Sequence, residues 1–310
     1  MNKNAKVYVA GHTGLIGSAI LREIEALGYR AVTRTRKEMD LTDKRKVEEF
    51  FVKEKPEYVY LAAARVGGMH ANSTYPAEFI FENLSIQTNV IDLSYRYPVK
   101  KLLFLASSCI YPKMCSNPIK EEYMLTGPIE PTNEPYAIAK LAGIKMCQSY
   151  NYQYDTDFLA VIPANVYGIN DHFNEDGHVV ASLIKKFHEA KLMGCESVTI
   201  WGTGKPKREF FYVDDLAKAC IFLMTGSQSG EALNIGIGVE TSIAELAEIV
   251  KEIIRFEGDI IYDTSKPDGN PQRLLDSSKI NKLGWKAETG LEKGLQLTYE
   301  WYKNSSYSNK

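Results

Sequence analysis

The sequence predicts an α/β fold in which a doubly wound parallel sheet is joined to a smaller α/β lobe. Three observations predict it. Strand patterns and helix patterns alternate through the first half of the chain, the strands are apolar almost throughout, and the length of 310 residues is about twice that of the commonest domain. Apolar strands of this kind are typical of parallel sheets, because helices cover both faces of such a sheet.

The first strand, 7–10, leads into a glycine turn at 11–17 and then into a helical pattern with apolar residues at 19, 20, 24 and 27. Four more strands and three more helices follow in alternation, with the spacing of βα units. The strands are predicted at 29–33, 58–62, 101–106 and 158–162, and the helices at 44–53, 79–95 and 136–150.

Beyond residue 165 the alternation loosens, because glycine and asparagine interrupt the pattern and predict loops. Helical patterns return at 179–191, 242–256 and 291–302. We therefore expect one domain from 1–165 with 209–240, and a smaller lobe from 166–208 with 241–310.

Composition excludes several classes of protein. The 37 basic and 39 acidic side chains nearly cancel, so nucleic acid is not an expected partner. Apolar runs stay far below the roughly 18 residues that cross a bilayer, and no signal-peptide core is present, so we expect no membrane contact and a cytoplasmic location. Five cysteines without a Cys-x-x-Cys pair predict neither a disulfide framework nor a metal site.

The turn between the first strand and the first helix carries Gly11, Gly14 and Gly17. Glycines at such a turn let the backbone approach a pyrophosphate and direct the helix N-terminus at its charge. The spacing Gly-x-x-Gly-x-x-Gly is a variant of the dinucleotide fingerprint Gly-x-Gly-x-x-Gly. The turn therefore predicts a Rossmann-type dinucleotide site.

The end of the second strand carries Arg34 and Arg36, where an NAD-binding protein usually has an acidic residue for the ribose hydroxyls. Basic side chains there favour the 2′-phosphate of NADP(H). A solvated basic loop is the alternative interpretation. Asp40, a few residues further on, either caps the next helix or lies beside the adenine.

Tyr136 and Lys140 lie four residues apart in a predicted helix and so share one face. Tyr-x-x-x-Lys also occurs at 97/101, 262/266 and 299/303, so the spacing alone is weak. Tyr136, however, follows a strand that ends in Ser107 and Cys109, and ligands of doubly wound sheets bind at such strand ends.

These residue types suit the reduction of a ketone. Hydride transfer to a carbonyl creates an alkoxide, which needs a proton donor within hydrogen-bonding distance. A phenol normally has a pKa near 10, and an ammonium group such as that of Lys140 favours its ionised form. Ser107 is predicted to hold the carbonyl oxygen.

Together these motifs resemble the extended short-chain dehydrogenase/reductase superfamily over most of the chain. Longer strings resemble the GDP-L-fucose synthase family, whose members epimerise carbons 3 and 5 of GDP-4-keto-6-deoxy-D-mannose and reduce carbon 4. The resemblance implies NADPH, a GDP-4-keto-6-deoxy sugar as substrate and a homodimer. The strings are AGH at 10–12, VGG at 66–68, NSTYP at 72–76, SSCIYP at 107–112, PTNEPYAIAK at 131–140 and SKPDG at 265–269.

In that family a cysteine two residues after the catalytic serine and a histidine in the next lobe are the base and the acid of epimerisation. The matching residues are Cys109 and His178. Taken alone, Cys109 resembles a buried apolar residue and His178 a residue of a loop or a helix start. His172 is the rival histidine.

The resemblance also implies further binding residues. Thr13 stands where bacterial members commonly have arginine, which weakens the NADP assignment, and Lys186 replaces an arginine, which keeps the charge but loses bidentate geometry. The structural alternative for Trp201 is a place in the core of the smaller lobe. The alternative for Arg208 is a place in a solvated loop. Implied for the cofactor are Gly11, His12, Thr13, Gly14, Leu15, Ile16, Gly17, Arg34, Arg36, Asp40, Leu41, Ala63, Lys140, Pro163, Asn165 and His178, and for the substrate Ser108, Asn133, Asn165, Lys186, Trp201, Arg208, Asp268 and Arg273.

Three other functions are alternatives to this one, and two of them are disfavoured. A homologue could reduce a different GDP-4-keto sugar, such as a heptose or a dideoxyhexose, with or without epimerisation. An NADP-binding regulator without turnover is disfavoured, because it would not need Ser107, Tyr136 and Lys140. A 4,6-dehydratase is disfavoured because Cys109 and Ile110 occupy the positions of its acid-base pair.

Overall fold

The computed structural model describes residues 1–174, 177–226, 230–266 and 268–305. Its strands are β1 Lys6–Ala10, β2 Arg30–Val32, β3 Tyr58–Leu61, β4 Lys101–Leu105, β5 Phe158–Pro163, β6 Asn165–Tyr167, β7 Ser197–Trp201, β8 Lys207–Arg208, β9 Phe210–Tyr212, β10 Ala232–Ile235, β11 Thr241–Ser242, β12 Asp259–Asp263 and β13 Gln272–Arg273. Its α-helices are α1 Leu15–Ala26, α2 Lys44–Glu54, α3 Met69–Thr74, α4 Pro76–Arg96, α5 Glu134–Tyr154, α6 Val179–Met193, α7 Val213–Thr225, α8 Ile243–Ile254, α9 Ser278–Lys282 and α10 Leu291–Asn304.

A parallel sheet with the order β2-β1-β3-β4-β5-β10 forms the centre of the larger lobe. The strand order reverses at β1, which pairs with β2 on one side and with β3 on the other. The predicted doubly wound α/β fold is therefore confirmed. A ligand site is expected outside the carboxyl ends of the strands at this reversal.

The apolar runs of the sequence become the buried strands of this sheet. Every side chain of β4 and β5 is buried, as expected for a strand with helices on both faces. The five predicted strands agree with β1 to β5 to within one residue at each end. The sequence interpretation did not identify β10 and α7, which complete the sheet and cover it.

A second core lies between α6, α8 and α10. It is closed by aromatic packing, with the rings of Phe187 and Phe256 at 5.6 Å between centroids. Ser242 and Glu245 form a capping box that starts α8. This second core gives the smaller lobe its own apolar interior.

Packing crosses the predicted domain boundaries at two places. Leu275, Ile280 and Trp285 contribute to the first core, although they follow residue 241. Phe210 and Tyr212 contribute to the second core, although they follow residue 209. Each of these two segments therefore packs in the core of the lobe to which the sequence did not assign it.

No helix within the described residues is long and apolar enough to cross a membrane.

Candidate active site

A cleft of about 490 Å³ opens at the carboxyl ends of the central strands. It follows β1, β2, β3, β4 and β5, and the smaller lobe closes its far side with residues from the start of α6. Predicted site residues that line it are Gly11, His12, Thr13, Gly14, Leu15, Ile16, Gly17, Arg34, Arg36, Asp40, Leu41, Ala63, Ser107, Ser108, Tyr136, Pro163, Asn165 and His178.

The glycine turn at the end of β1 needs glycine for two separate reasons. Gly11 has a φ of 85°, and a Cβ there would lie 2.6 Å from the backbone nitrogen of Ala63. A Cβ on Gly17 would overlap the carbonyl oxygen of Gly11. No side chain caps α1, whose N-cap is Gly14, so the amides at this helix start face the cleft without a competing side-chain acceptor.

These observations fit the turn to a dinucleotide pyrophosphate. Space for a Cβ is absent at two of its glycines, and the helix start offers backbone donors.

The two arginines after β2 differ in availability. Arg34 lies 2.7 Å from the Glu54 carboxylate and 5.3 Å from the centre of the Phe50 ring. Arg36 is 69% exposed and lies 3.2 Å from Glu82 and 3.8 Å from Asp40. The Arg34 side chain is therefore held by Glu54 and Phe50, and it is not part of a solvated loop. Arg36 is the cation that is freer to meet a ligand.

Asp40 does not cap α2, since the side chain of Asp43 accepts the amides of Arg45 and Lys46. The Asp40 carboxylate instead accepts the backbone amide and the hydroxyl of Thr42. Burial opposes its charge, but these two hydrogen bonds and Arg36 hold its pKa below the usual value. A charged carboxylate thus lines the cleft after β2.

Sequence reasoning missed several lining residues, some of which directly follow a predicted strand. Arg65, which follows β3, lies 2.5 Å from Glu82 and 2.6 Å from Glu78. A search of the residues after each strand would have found Ala64, Arg65, Val66, Ala164 and Val166. The missed residues are Met39, Ala62, Ala64, Arg65, Val66, Glu82, Ile86, Ala106, Ala164, Val166, Asp171, Val179, Val180 and Phe210.

Ser107, Tyr136 and Lys140 come together between β4 and α5. The Ser107 hydroxyl accepts the Cys109 amide at 3.4 Å and starts the turn that follows β4. Lys140 is buried behind Tyr136, with its Nζ 5.9 Å from the centre of the phenol ring, and donates to the carbonyl of Leu105 at 2.8 Å. Ser107 and Tyr136 line the cleft, whereas Lys140 supports them from behind.

The electrostatics of this group differ from the sequence expectation. Burial raises the pKa of the Tyr136 phenol, the nearby Cys109 adds to the rise, and a hydrogen bond with Ser107 opposes it. Burial also lowers the pKa of Lys140 to about 8. Burial keeps the phenol protonated, so Tyr136 is a proton donor at neutral pH.

Cys109 lies under the Ser107 turn and outside the cleft lining, with 9% of its surface exposed. Burial raises its pKa, while a hydrogen bond with Ser107 and the charges of Arg273 and Lys140 oppose the rise. The expected cationic neighbours are present, but burial outweighs them. The thiol is therefore the main form at neutral pH.

His178 lines the cleft at the start of α6, and 57% of its side chain is exposed. Its Nδ1 lies 2.9 Å from a carboxylate oxygen of Asp171. The hydrogen bond with Asp171 raises the pKa of His178, although burial opposes it. His172 also lines the cleft.

Six predicted substrate residues lie outside the cleft lining. Arg208 and Arg273 are neighbours in the register of β8 and β13. Trp201 is 67% exposed, so it is not lobe core, and the Nζ atoms of Lys186 and Lys266 lie 5.7 and 5.6 Å from its ring centre. The six are Asn133, Lys186, Trp201, Arg208, Asp268 and Arg273.

Three of these residues have defined partners. Arg208 is a half-buried strand residue that donates to the carbonyl of Asn270 at 2.6 Å, so it is not a solvated loop residue. The Asp268 carboxylate accepts the amide and the hydroxyl of Thr203 at 2.8 and 2.7 Å. Asn133 precedes α5, and its buried Oδ1 has no partner among the described residues. Pro267, between Lys266 and Asp268, lies outside the described residues.

Residues 7–236 match the NAD dependent epimerase/dehydratase family, a segment that contains β1 to β10 and all the cleft-lining residues. The chain belongs to this family. The epimerase/dehydratase match also covers the glycine turn and the Ser107, Tyr136 and Lys140 group.

Within the epimerase/dehydratase family, the chain is similar over nearly its full length to proteins that carry specific names. GDP-L-fucose synthase 1 from Arabidopsis thaliana is 55% identical over 303 residues, which is 97% of this chain and 94% of the relative. The resemblance to GDP-L-fucose synthases is therefore confirmed.

Two solved structures have the same overall fold. A GDP-6-OMe-4-keto-L-xylo-heptose reductase from C. jejuni is 39% identical with a TM-score of 0.92, over 98% of this chain and 99% of that one. A GDP-L-fucose synthetase from Naegleria fowleri bound to NADP is 28% identical with a TM-score of 0.91, over 98% of this chain and 95% of that one.

Proposed function

We propose that this epimerase/dehydratase family member is an NADPH-dependent enzyme that epimerises carbons 3 and 5 of GDP-4-keto-6-deoxy-D-mannose and reduces carbon 4, giving GDP-L-fucose. One observation carries the proposal: the imidazole of His178 lines the same cleft as the reductase residues Ser107 and Tyr136, and the Cys109 thiol lies directly under the Ser107 turn. A reductase alone has no use for this imidazole and thiol. The 55% identity to a GDP-L-fucose synthase supports the same activity.

The glycine turn and Arg36 are the residues that would hold NADPH. Backbone amides at the start of α1 suit the pyrophosphate, and the exposed guanidinium of Arg36 suits the 2′-phosphate. NADPH, when bound, supplies the hydride for carbon 4. The NADP-bound Naegleria fowleri structure supports this cofactor, since its fold is shared over 98% of the chain.

The chain's own residues then divide the chemistry. Ser107 and Tyr136 hold the oxygen on carbon 4, and Tyr136 gives it a proton when the alkoxide forms. The keto group acidifies carbons 3 and 5, and each carbon is inverted in its own step: Cys109 as thiolate takes the proton from one face, and His178 as imidazolium returns a proton on the opposite face. Between the two steps the Cys109 thiol gives its proton to solvent and His178 takes a proton from solvent. Lys140 keeps Tyr136 in place through its position behind the ring.

The smaller lobe is proposed to bind the GDP part of the substrate. Its segments, 166–208 and 241–310, bring Arg208 and Arg273 side by side and place Lys186 against Trp201. Two adjacent guanidinium groups suit a diphosphate, and an exposed indole suits stacking. Ser108, Asn165, Asn133 and Asp268 are proposed to contact the sugar or the base.

A homodimer in the cytoplasm is the proposed assembly and location. Two large apolar side chains on α4 and α5 support a subunit interface, since Phe81 is 67% and Tyr154 42% exposed. The balanced charge supports a solution protein rather than one held at an acidic or basic surface.

The second candidate is a reductase of a GDP-4-keto heptose. It is favoured by the C. jejuni heptose reductase, which is 39% identical with a TM-score of 0.92. Mass spectrometry and proton NMR of the products from a panel of GDP-4-keto sugars with NADPH test both. GDP-L-fucose from the 6-deoxy-mannose substrate supports the first, and turnover of heptose substrates alone supports the second.

Replacing Arg36 with alanine should raise the KM for NADPH much more than the KM for NADH. A charge-assisted contact to phosphate is worth about 1.5 to 3 kcal/mol, and NADH has no such phosphate. Steady-state kinetics with both cofactors measure this. Arg45→Ala is the matched control, because that arginine lies on α2 with 79% of its side chain exposed. Equal losses for both cofactors would contradict the NADP assignment.

A further inference from the structure

The loop between β6 and α6 places a buried carboxylate behind His178. Asp171 is 1% exposed, whereas the His178 side chain in front of it is 57% exposed and faces the cleft. Oδ1 of Asp171 lies 2.9 Å from Nδ1 of His178 and accepts the backbone amide of His172 at 2.8 Å. The pair therefore has an inner, shielded anion and an outer, solvent-facing ring.

The surrounding packing holds this arrangement. Phe173 is buried, and its ring lies 4.6 Å from that of Tyr302 on α10, which anchors the loop to the smaller lobe. A Cβ on Gly177 would overlap the carbonyl oxygen of His172, so the chain turns tightly just before His178. His178 then enters α6 as its N-cap residue, with Ser182 donating to its carbonyl oxygen at 2.9 Å.

The second carboxylate oxygen of Asp171 is buried and has no hydrogen-bond partner within the described part of the chain. A buried carboxylate oxygen without a partner costs free energy, so it calls for a compensating role. A positive charge on the adjacent imidazole compensates it. A structural role in the loop alone would be met as well by an uncharged side chain.

We propose that Asp171 is a positioning residue for epimerisation, which fixes the ring of His178 and holds the proton that His178 delivers to the substrate carbon. The inference rests on the proposed function. With Nδ1–H donating to Asp171, Nε2 is the nitrogen left to face the cleft. The imidazolium gives its Nε2 proton to the enolate carbon and becomes a neutral ring, and exposure to solvent allows it to be protonated again.

Among the residues that the structure describes, the other groups of the cleft do not replace this role. His172 and Tyr136 line the same cleft, and Ser107 and Lys140 lie on the larger lobe. Arg34, Arg36 and Arg65 line the cleft as cations, and a cation would disfavour the imidazolium. Within the described part of the chain, Asp171 is the anion that contacts the ring.

The test uses the whole 310-residue protein with ¹⁵N-labelled histidine, and a His178→Gln spectrum identifies the His178 signals among the five histidines. In the wild type, neutral His178 should carry its proton on Nδ1. In Asp171→Asn, the pKa of His178 should fall by about one unit or more, because the neighbouring anion is lost. Asp171→Glu, which keeps the charge, should recover part of that shift.

The pH profile of hydrogen exchange at carbons 3 and 5 gives the second readout. The active form needs the thiolate of Cys109 and the imidazolium of His178 together. Its population is therefore constant between the pKa of His178 and the higher pKa of Cys109, which gives a plateau in the exchange rate. In Asp171→Asn the acid limb should move to lower pH by the same interval as the His178 pKa, and the plateau should fall about tenfold per unit. Asp259→Asn, on the exposed β12 of the same lobe, should change neither readout.

The outcomes separate the inference from the proposed function. An Nε2–H tautomer of His178 in the wild type, or an unchanged His178 pKa in Asp171→Asn, would overturn the pairing. If Asp171→Asn does not fold, the wild-type tautomer and a pKa above about 6.5 decide the matter. A confirmed pairing in a wild type that never exchanges these hydrogens would instead overturn the proposed epimerisation and with it this role of Asp171.

Discussion

Tyr136→Phe should lower the rate of reduction by about a hundred- to ten-thousand-fold, because the substitution removes the proton donor for the carbon 4 oxygen. The structure supports this role, since burial raises the pKa of the phenol and so keeps it protonated. Tyr136 also lines the cleft together with Ser107. Binding of NADPH should stay near normal, because the ring and its packing against Phe79 are retained. Single-turnover reduction and fluorescence titration of NADPH measure the two effects.

The matched control is Tyr152→Phe, which removes a hydroxyl from the same helix at a position that is 96% exposed. It should leave reduction unchanged. Reduction by Tyr136→Phe at more than about a tenth of the wild-type rate would mean that another donor serves the oxygen, with water held by Ser107 as the first candidate.

Cys109→Ser should nearly stop the exchange of the hydrogens on carbons 3 and 5 with deuterated water when NADPH is omitted. A serine hydroxyl has almost the same size as the thiol but is a far weaker acid, so it does not supply the anionic base. Reduction should survive and give an unepimerised 4-hydroxy product. Proton NMR of the substrate and of the product measures both results.

Cys195→Ser is the control, because that thiol is exposed and lies in the smaller lobe. Normal exchange by Cys109→Ser would place the base elsewhere, and His178 would be the first residue to examine. His178→Gln should still allow some proton removal, and so some incorporation of deuterium, without completing the inversion.

The sequence predicted the larger lobe well because its signals are local. Apolar runs and the glycine turn specify β1 to β5 and α1 without reference to distant residues. The strand β10 was missed because Ala232–Ile235 is short and pairs with β5, more than sixty residues earlier in the chain. Such pairing leaves no local pattern to read.

Residues of the candidate site were predicted with uneven success for the same reason. Arg36 and Tyr136 follow or face a strand end, where topology alone places them in the cleft. The sequence did not reveal that Glu82 contacts Arg36, or that Asp171 contacts His178 from seven residues away in a loop. The pKa of Cys109 also depends on burial, which the sequence does not give.

The central claim is that one cleft performs both epimerisation and reduction, and the deuterium content of the product tests it most directly. Wild-type protein, GDP-4-keto-6-deoxy-D-mannose and NADPH are combined in deuterated water, and the product is analysed by NMR and mass spectrometry. The account predicts GDP-L-fucose with deuterium at both carbon 3 and carbon 5. A reduced product with the original configuration and no deuterium at these carbons would contradict it.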